Sequence, residues 1–304
     1  MRFAQSGNLE ENAPPSATPS PLFALKILAL ADLHFDRHWY EWVKRAAPAH
    51  HLVAIAGDLL NGRAEEGLVE QMLWVRDWVS EFPSNLAICS GNHDANDQNL
   101  ELEPRVLSGL PPARRDIALS MLMSGRWMDT LESPRVSTDN RSQVVHTAEG
   151  KLVVTTIPYA PGEGNEELWL RAQLLRSEHR CPWVVLHHDP PLGSAVGGSV
   201  GNASLRGKIA DYRPDYVFSG HLHHQPYEGS FSERVGETWC FNPGFAKKAS
   251  SGRPIPNHVV LDIREGVASW CATWEGDSSP RIQFKPLGEP GCLGRASCSQ
   301  RSSS

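Results

Sequence analysis

Apolar residues in this chain cluster in short runs closed by small, polar or turn-forming residues. Leu25 to Leu30 (LKILAL), Leu52 to Ala56 (LVAIA), Leu86 to Ser90 (LAICS), Lys151 to Ile157 (KLVVTTI), Trp183 to Leu186 (WVVL) and Tyr216 to Ser219 (YVFS) have the length and bounding residues of buried strands. Between them lie stretches with apolar residues three or four apart. Glu65 to Glu81 (Leu68, Met72, Val75, Val79), Ala113 to Gly125 and Glu166 to Arg176 are examples, and that spacing predicts helices. Strand pattern returns near residue 260 and over Val267 to Thr273. Alternating strands and helices followed by a β-rich end predict an α/β sandwich.

Composition changes this picture little. The 304 residues, 40% hydrophobic with ten Trp and nine Phe, suffice for a large core. A domain over 23–285 is expected, flanked by flexible tails at 1–22 and 286–304, whose Pro/Ser- and Gly/Ser-rich composition cannot bury enough apolar surface to order itself. The net charge of −6 argues against a chain that grips nucleic acid through a broadly basic surface, so nucleic acid enters only as a possible substrate. Cysteines at 89, 181, 240, 271, 292 and 298 form no C-x-x-C pair and no disulfide framework. No apolar h-region or membrane-length run is seen, and the expected location is cytoplasmic, with no membrane partner.

The chemistry lies in the residues just past each strand. LKILAL leads into Asp32-Leu33-His34, LVAIA into Gly57-Asp58, and LAICS into Gly91-Asn92-His93-Asp94. WVVL leads into His187-His188, and YVFS into Gly220-His221-Leu222-His223. Ligands of open α/β sheets gather at the carboxyl ends of strands, so the five ends can converge. Carboxylate oxygens and imidazole nitrogens suit Mn, Fe or Zn, and no thiolate set is offered. Asp32 and His34 are two residues apart, as are His221 and His223; on an extended strand end each pair would share a face. Gly-Asp or Asp-x-His alone is usually a turn, and His187-His188 can be a core histidine beside an exposed one. Gly-Asn-His-Asp and Gly-His-x-His are more specific, and five such signals in succession after five strands defeat the bland reading.

The ordered series D-x-H, G-D, G-N-H-D, H and G-H-x-H, with Asn242-Pro243-Gly244 after it, resembles the calcineurin-like metallophosphoesterase superfamily over about residues 25–246. The resemblance implies a four-layer α/β/β/α sandwich with two divalent metal ions. Asp32, His34, Asp58 and His223 would hold one ion, and Asp58, Asn92, His187 and His221 the other, Asp58 bridging. His187 is preferred to His188 because it directly follows the apolar run, although the motif continues His-His-Asp-Pro-Pro where H-H-P-P is frequent. The resemblance further implies attack on phosphorus by a metal-bridging hydroxide, with no covalent phosphoenzyme. His93 would protonate the leaving oxygen and Asp94 would orient His93.

A phosphate-ester substrate is then expected, with a small or nucleotide-like phosphodiester favoured because a poor leaving group gains from a general acid. A phosphomonoesterase, a nuclease and a non-catalytic metal-binding scaffold are the alternatives. Arg37, Arg63 and His188 are candidate substrate contacts, and His224 and Tyr227 candidates for the site mouth. Residues 95–145 are either a cap or ordinary sandwich connections. Trp39, Trp42, Trp74 and Trp78, three or four apart on helical segments, are expected to be core packing more than a base-stacking platform.

Overall fold

The computed structural model describes residues 25–62, 67–94, 104–124, 127–131, 133–159, 166–245, 255–271 and 281–283. Both expected tails, Arg63 and residues 95–103 lie outside these. The strands are β1 (Lys26–Leu30), β2 (Leu52–Ala56), β3 (Leu86–Cys89), β4 (Val136–Ser137), β5 (Arg141–Thr147), β6 (Gly150–Thr156) and β7 (Trp183–Leu186). They continue with β8 (Tyr216–Phe218), β9 (Ser232–Val235), β10 (Thr238–Phe241), β11 (His258–Asp262), β12 (Val267–Cys271) and β13 (Arg281–Gln283). The helices are α1 (Arg37–Ala46), α2 (Leu68–Ser80), α3 (Pro104–Gly109), α4 (Pro112–Met123), α5 (Glu166–His179), α6 (Ala203–Tyr212) and α7 (Gln225–Glu228).

Two sheets result, one ordered β13-β12-β11-β1-β2-β3-β4 and the other β5-β6-β7-β8-β10-β9. Strands β1 to β4 run parallel, as do β6, β7, β8 and β10. Their carboxyl ends therefore lie along one edge of each sheet.

Alternation along the strands builds three cores. Leu28 and Leu30 of β1 and Val53 and Ile55 of β2 pack with Tyr40 and Val43 of α1 and Met72, Val75 and Val79 of α2. The intervening Ile27, Ala29, Ala54 and Ala56 face Leu152, Val154, Val184 and Leu186 of the second sheet. On that sheet's other side Val153, Trp183, Val185 and Val217 pack with Trp169 of α5 and Ile209 of α6. Helices, sheet, sheet and helices thus succeed one another, with both faces of the central parallel strands buried, which is why these strands read as unbroken apolar runs. Burying each such aliphatic side chain is worth about 1.5–3 kcal/mol.

The tryptophans belong to the first core, where Tyr40 stands edge-on to Trp74 and Trp78 with ring centroids 5.2 and 5.0 Å away. The described part of residues 95–145 is also ordinary sandwich. Ala118 and Met121 of α4 join the same core, and β4 and β5 enter the two sheets. Cys89, Cys181, Cys240 and Cys271 are free thiols. Among the described residues no helix is long and apolar enough to cross a membrane.

Candidate metal centre

The loops after β1 and β2 run side by side past the strand ends. Backbone N–H groups of Asp32, His34 and Phe35 donate to the carbonyls of Gly57, Asp58 and Leu59 at 3.0, 2.9 and 2.8 Å. Asp32, His34, Phe35, Asp58 and His221 all have φ between 43° and 63°, the left-handed region. Such backbone costs about 1–3 kcal/mol per residue and persists only where surroundings over-determine it. Glycines allow the loops to close. A Cβ on Gly57 would lie 2.4 Å from His188 Nδ1, and one on Gly91 would lie 2.2 Å from Asp58 Oδ1.

Two donor sets meet at Asp58. In the first, ligand atoms of Asp32, His34, Asp58 and His223 all lie within 4.8 Å of one another. His223 Nε2 is 3.3 Å from Asp32 Oδ1 and 3.2 Å from His34 Nε2, and His34 Nε2 is 3.7 Å from Asp58 Oδ2. In the second, His188 Nε2 is 3.4 Å from Asp58 Oδ1 and 3.0 Å from Asn92 Oδ1. His221 Nδ1 lies 2.9 Å from the same Asn92 oxygen. The two carboxylate oxygens of Asp58 therefore face different sets. Bonds between the sheets hold the sets together: His221 N–H donates to Asp32 Oδ1 at 3.2 Å, and His188 Nδ1 lies 2.8 Å from the Ala56 carbonyl.

The calcineurin-like phosphoesterase family model matches residues 25–225, about two thirds of the chain. This chain belongs to that family. Its members are dinuclear, and the protein is a metal-dependent phosphoesterase. Among solved structures, TT1561 of Thermus thermophilus is 16% identical, with 83% of this chain and 100% of that chain covered and a TM-score of 0.53. A dimetal phosphatase from Danio rerio is 9% identical over 86% of this chain and 99% of its own, with a TM-score of 0.48. Purple acid phosphatase PPD1 from yellow lupin (Lupinus luteus) seeds is 12% identical over 85% of this chain and 53% of its own, with a TM-score of 0.47. At its identity the Thermus structure speaks to the fold alone. No curated protein matches the chain significantly.

The donor set of this calcineurin-like phosphoesterase fits metal ions on its own chemistry. Asp32 is fully buried, and its Oδ2 has no hydrogen-bond partner, which is costly for a carboxylate oxygen unless a cation meets it. Burial alone would raise the Asp58 carboxyl, but His188, the His93 amide and His34 hold it below the ordinary carboxylate range. Burial opposes charge on His188, yet Asp58 and Asp32 push it up to about 10. Burial lowers His34 and His221, favouring the neutral imidazole whose lone pair a metal needs. At His223, as at His188, the carboxylates outweigh burial and raise the pKa, so these two would bind a metal only with loss of a proton.

Several expectations need correction. It is His188, fully buried, that faces Asp58, Asn92 and His221; the Nδ1 of His187 is instead 2.8 Å from the Asp189 carbonyl. Strand alternation explains this, because His188 continues the face of Val184 and Leu186 toward the other sheet, while His187 continues the helix-side face of Trp183 and Val185. That signal was present in the sequence. Full burial also removes His188 from the substrate contacts.

The shared-face argument for His221 and His223 fails too. With φ of 63° at His221 the backbone is not extended, and the two rings go to different sets. Asp94 does not orient His93; its carboxylate accepts from the amides of Leu59, Leu60 and Gly91 at 3.1, 2.9 and 2.8 Å. It braces the loop after β2 against that after β3, while burial and Asp58 push its pKa up to about 7. Arg37 lies over the rings of Phe35 and Trp74, 5.1 and 5.3 Å from their centroids. Tyr227 packs on Trp270 and bonds Asn257.

A cavity of about 500 Å³ opens beside the first set. His34, His93 and His223 line it together with Leu33, Trp39 and Phe245. The Gly62 amide donates to His93 Nδ1 at 3.4 Å. Phe245 went unnoticed in the sequence; only its position directly after Asn242-Pro243-Gly244 marks it.

Proposed function

We propose that this chain is a dinuclear phosphodiesterase acting on a small or nucleotide-like substrate. Asp32, His34, Asp58 and His223 hold one ion, and Asp58, Asn92, His188 and His221 the other. The observation that carries this reading is Asp58, whose two carboxylate oxygens face two separate donor sets. Manganese, iron and zinc all suit these oxygen and nitrogen donors. When bound, such ions lower the pKa of water and offset negative charge on a phosphoryl group.

The chain's own residues supply the rest. Asp32 and Asp58 bring the two sets into register through buried carboxylates, and Asp94 fixes the loops that carry Asp58 and Asn92. His93 lines the cavity, where it gives a proton to the departing oxygen as the P–O bond breaks. That assistance matters most for a poor leaving group, which favours a diester over a monoester.

The test is hydrolysis of bis(p-nitrophenyl) phosphate beside p-nitrophenyl phosphate by manganese-loaded protein, with EDTA-treated and Asp58→Ala controls. Diester turnover lost in both controls is expected. Preference for the monoester overturns the substrate class, and turnover that survives Asp58→Ala overturns the site. Two bound ions per chain without turnover of any ester would favour the scaffold reading.

A further inference from the structure

The Asn242-Pro243-Gly244 turn has a specific mechanical result. Asn242 is fully buried, and its Nδ2 donates to the carbonyls of Gly220 and Leu222, each at 3.3 Å, which ties the turn to the loop bearing His221 and His223. Its Oδ1 accepts from the Gly244 amide at 2.8 Å, and Gly244 turns the chain with φ +65°. The next residue, Phe245, is then pinned: its N–H donates to the His223 carbonyl at 3.2 Å, and its own carbonyl accepts from Tyr227 Oη at 3.3 Å.

This delivers an aromatic ring to the metal side of the cavity. Phe245 stacks on His223 with centroids 4.8 Å apart and an interplanar angle of 25°. It stands edge-on to His34 and to Trp39, each at 5.3 Å. Trp39 is only 3% exposed and Phe35 8%, so both are largely spent on the core, whereas Phe245 is half-buried and keeps surface for a ligand. About 500 Å³ is within the range of small-molecule sites and accommodates an ester with a ring attached.

From this we infer that the cavity takes a planar, apolar leaving group of the ester, an aryl or nucleobase-like ring, and that Phe245 sets this specificity. The inference rests on the phosphoesterase reading of the metal centre and deepens it. The position of His93 in the same cavity assigns the bound group as the one that leaves. A water oxygen bonds to phosphorus and releases a proton to solvent, the P–O bond to the ring-bearing group breaks, and His93 protonates the released oxygen and regains its proton from solvent. Phosphate charge is met at the metal side while the ring lies against Phe245.

The experiment compares metal-loaded wild type, Phe245→Ala and Phe245→Leu. Calorimetry gives the Kd of phenylphosphonate and of methylphosphonate, probes that need no turnover. Wild type is expected to prefer the phenyl compound by about tenfold, and Phe245→Ala to lose most of that preference. Phe245→Leu, which keeps apolar bulk without a flat face, should fall between, and guards against loss of fold in the alanine variant. Equal binding of the two phosphonates by wild type, or an undiminished phenyl preference in both variants, would overturn the inference.

Kinetics add a second arm, the ratio of kcat/KM for methyl phenyl phosphate to that for methyl trifluoroethyl phosphate. Comparing this ratio between variants cancels intrinsic leaving-group reactivity, and it should drop about tenfold in Phe245→Ala. An unchanged ratio beside a lost phenylphosphonate preference would place the ring on the group that stays, refuting the leaving-group assignment. Failure to hydrolyse any ester would tell against the function proposed above, and the phosphonate comparison would still decide the role of Phe245.

Discussion

Replacing Gly91 by alanine tests how the centre is built. Gly91 is not in the left-handed backbone region, so alanine adds no conformational penalty and the effect is contact alone. Its Cβ would sit 2.2 Å from Asp58 Oδ1 and 2.3 Å from the Asp58 amide nitrogen, more than an ångström inside ordinary van der Waals contact at 3.4 Å. Asp58 cannot retreat freely, since the same Oδ1 accepts from the His93 amide at 2.9 Å and faces His188 at 3.4 Å. The overlap is relieved by moving a carboxylate that serves both donor sets, or by moving the loop after β3. Overpacking of this kind costs about 1–3 kcal/mol. A shift near 1 Å at a reacting centre costs about a hundredfold in rate.

Gly207→Ala supplies the control of opposite sign. Gly207 lies on the exposed side of α6 with open space where a Cβ would go, so helix propensity should stabilise the protein by about 0.5–1 kcal/mol. Urea unfolding of metal-free protein, metal content after gel filtration and diester turnover read both variants. A Gly91→Ala protein that keeps two ions per chain and turns over within about threefold of wild type would refute the claim that the strand-end glycines exist for close approach.

Three other residues give outcomes of their own. Asp94→Asn should lower the stability of the metal-free protein by about 1–3 kcal/mol, because one amide oxygen cannot satisfy three buried N–H donors; unchanged urea midpoints would remove the bracing role. His188→Ala should reduce bound metal by one ion per chain while His187→Ala retains both, as counted by elemental analysis, and the reverse pattern would restore His187 as the ligand. Burial lowers His258, whose Nδ1 lies 2.9 Å from the Pro256 carbonyl, so the folded state takes up its proton at lower pH than the unfolded chain. The stability it contributes is present above about pH 6.5 and is lost as pH falls through that value toward the folded pKa. Metal-free wild type should therefore lose more stability than His258→Gln between about pH 7.5 and about pH 5.5, and equal losses in urea unfolding would contradict this.

The order of chemistry along the chain was legible because strand ends leave a local mark. An apolar run stops where the sheet stops, and the polar residue after it must find a partner or water; five such stops carry Asp, Asn and His here. The runs at β2 and β7 were delimited to the residue, since both faces of those strands are buried and the hydrophobic pattern has sharp edges. Strands β4, β5, β9, β10 and β13 escaped notice. β4, β5, β9 and β13 stand at the sheet edges, and β5 and β9 have mixed burial, so no unbroken apolar run marks them.

What only the tertiary structure decided is which atoms meet. The choice of His188, the division of His221 and His223 between two sets and the three amides on Asp94 all depend on loops joined across distant segments or on backbone with positive φ. Local periodicity describes neighbours on a regular strand or helix. It cannot say where a side chain points once φ leaves the extended region, nor that the turn after β10 sets Phe245 against a histidine from the loop after β8. The donor residues were written in the sequence, and their geometry was decided by the packing of two sheets against each other, which brings the strand-end loops of both to one place.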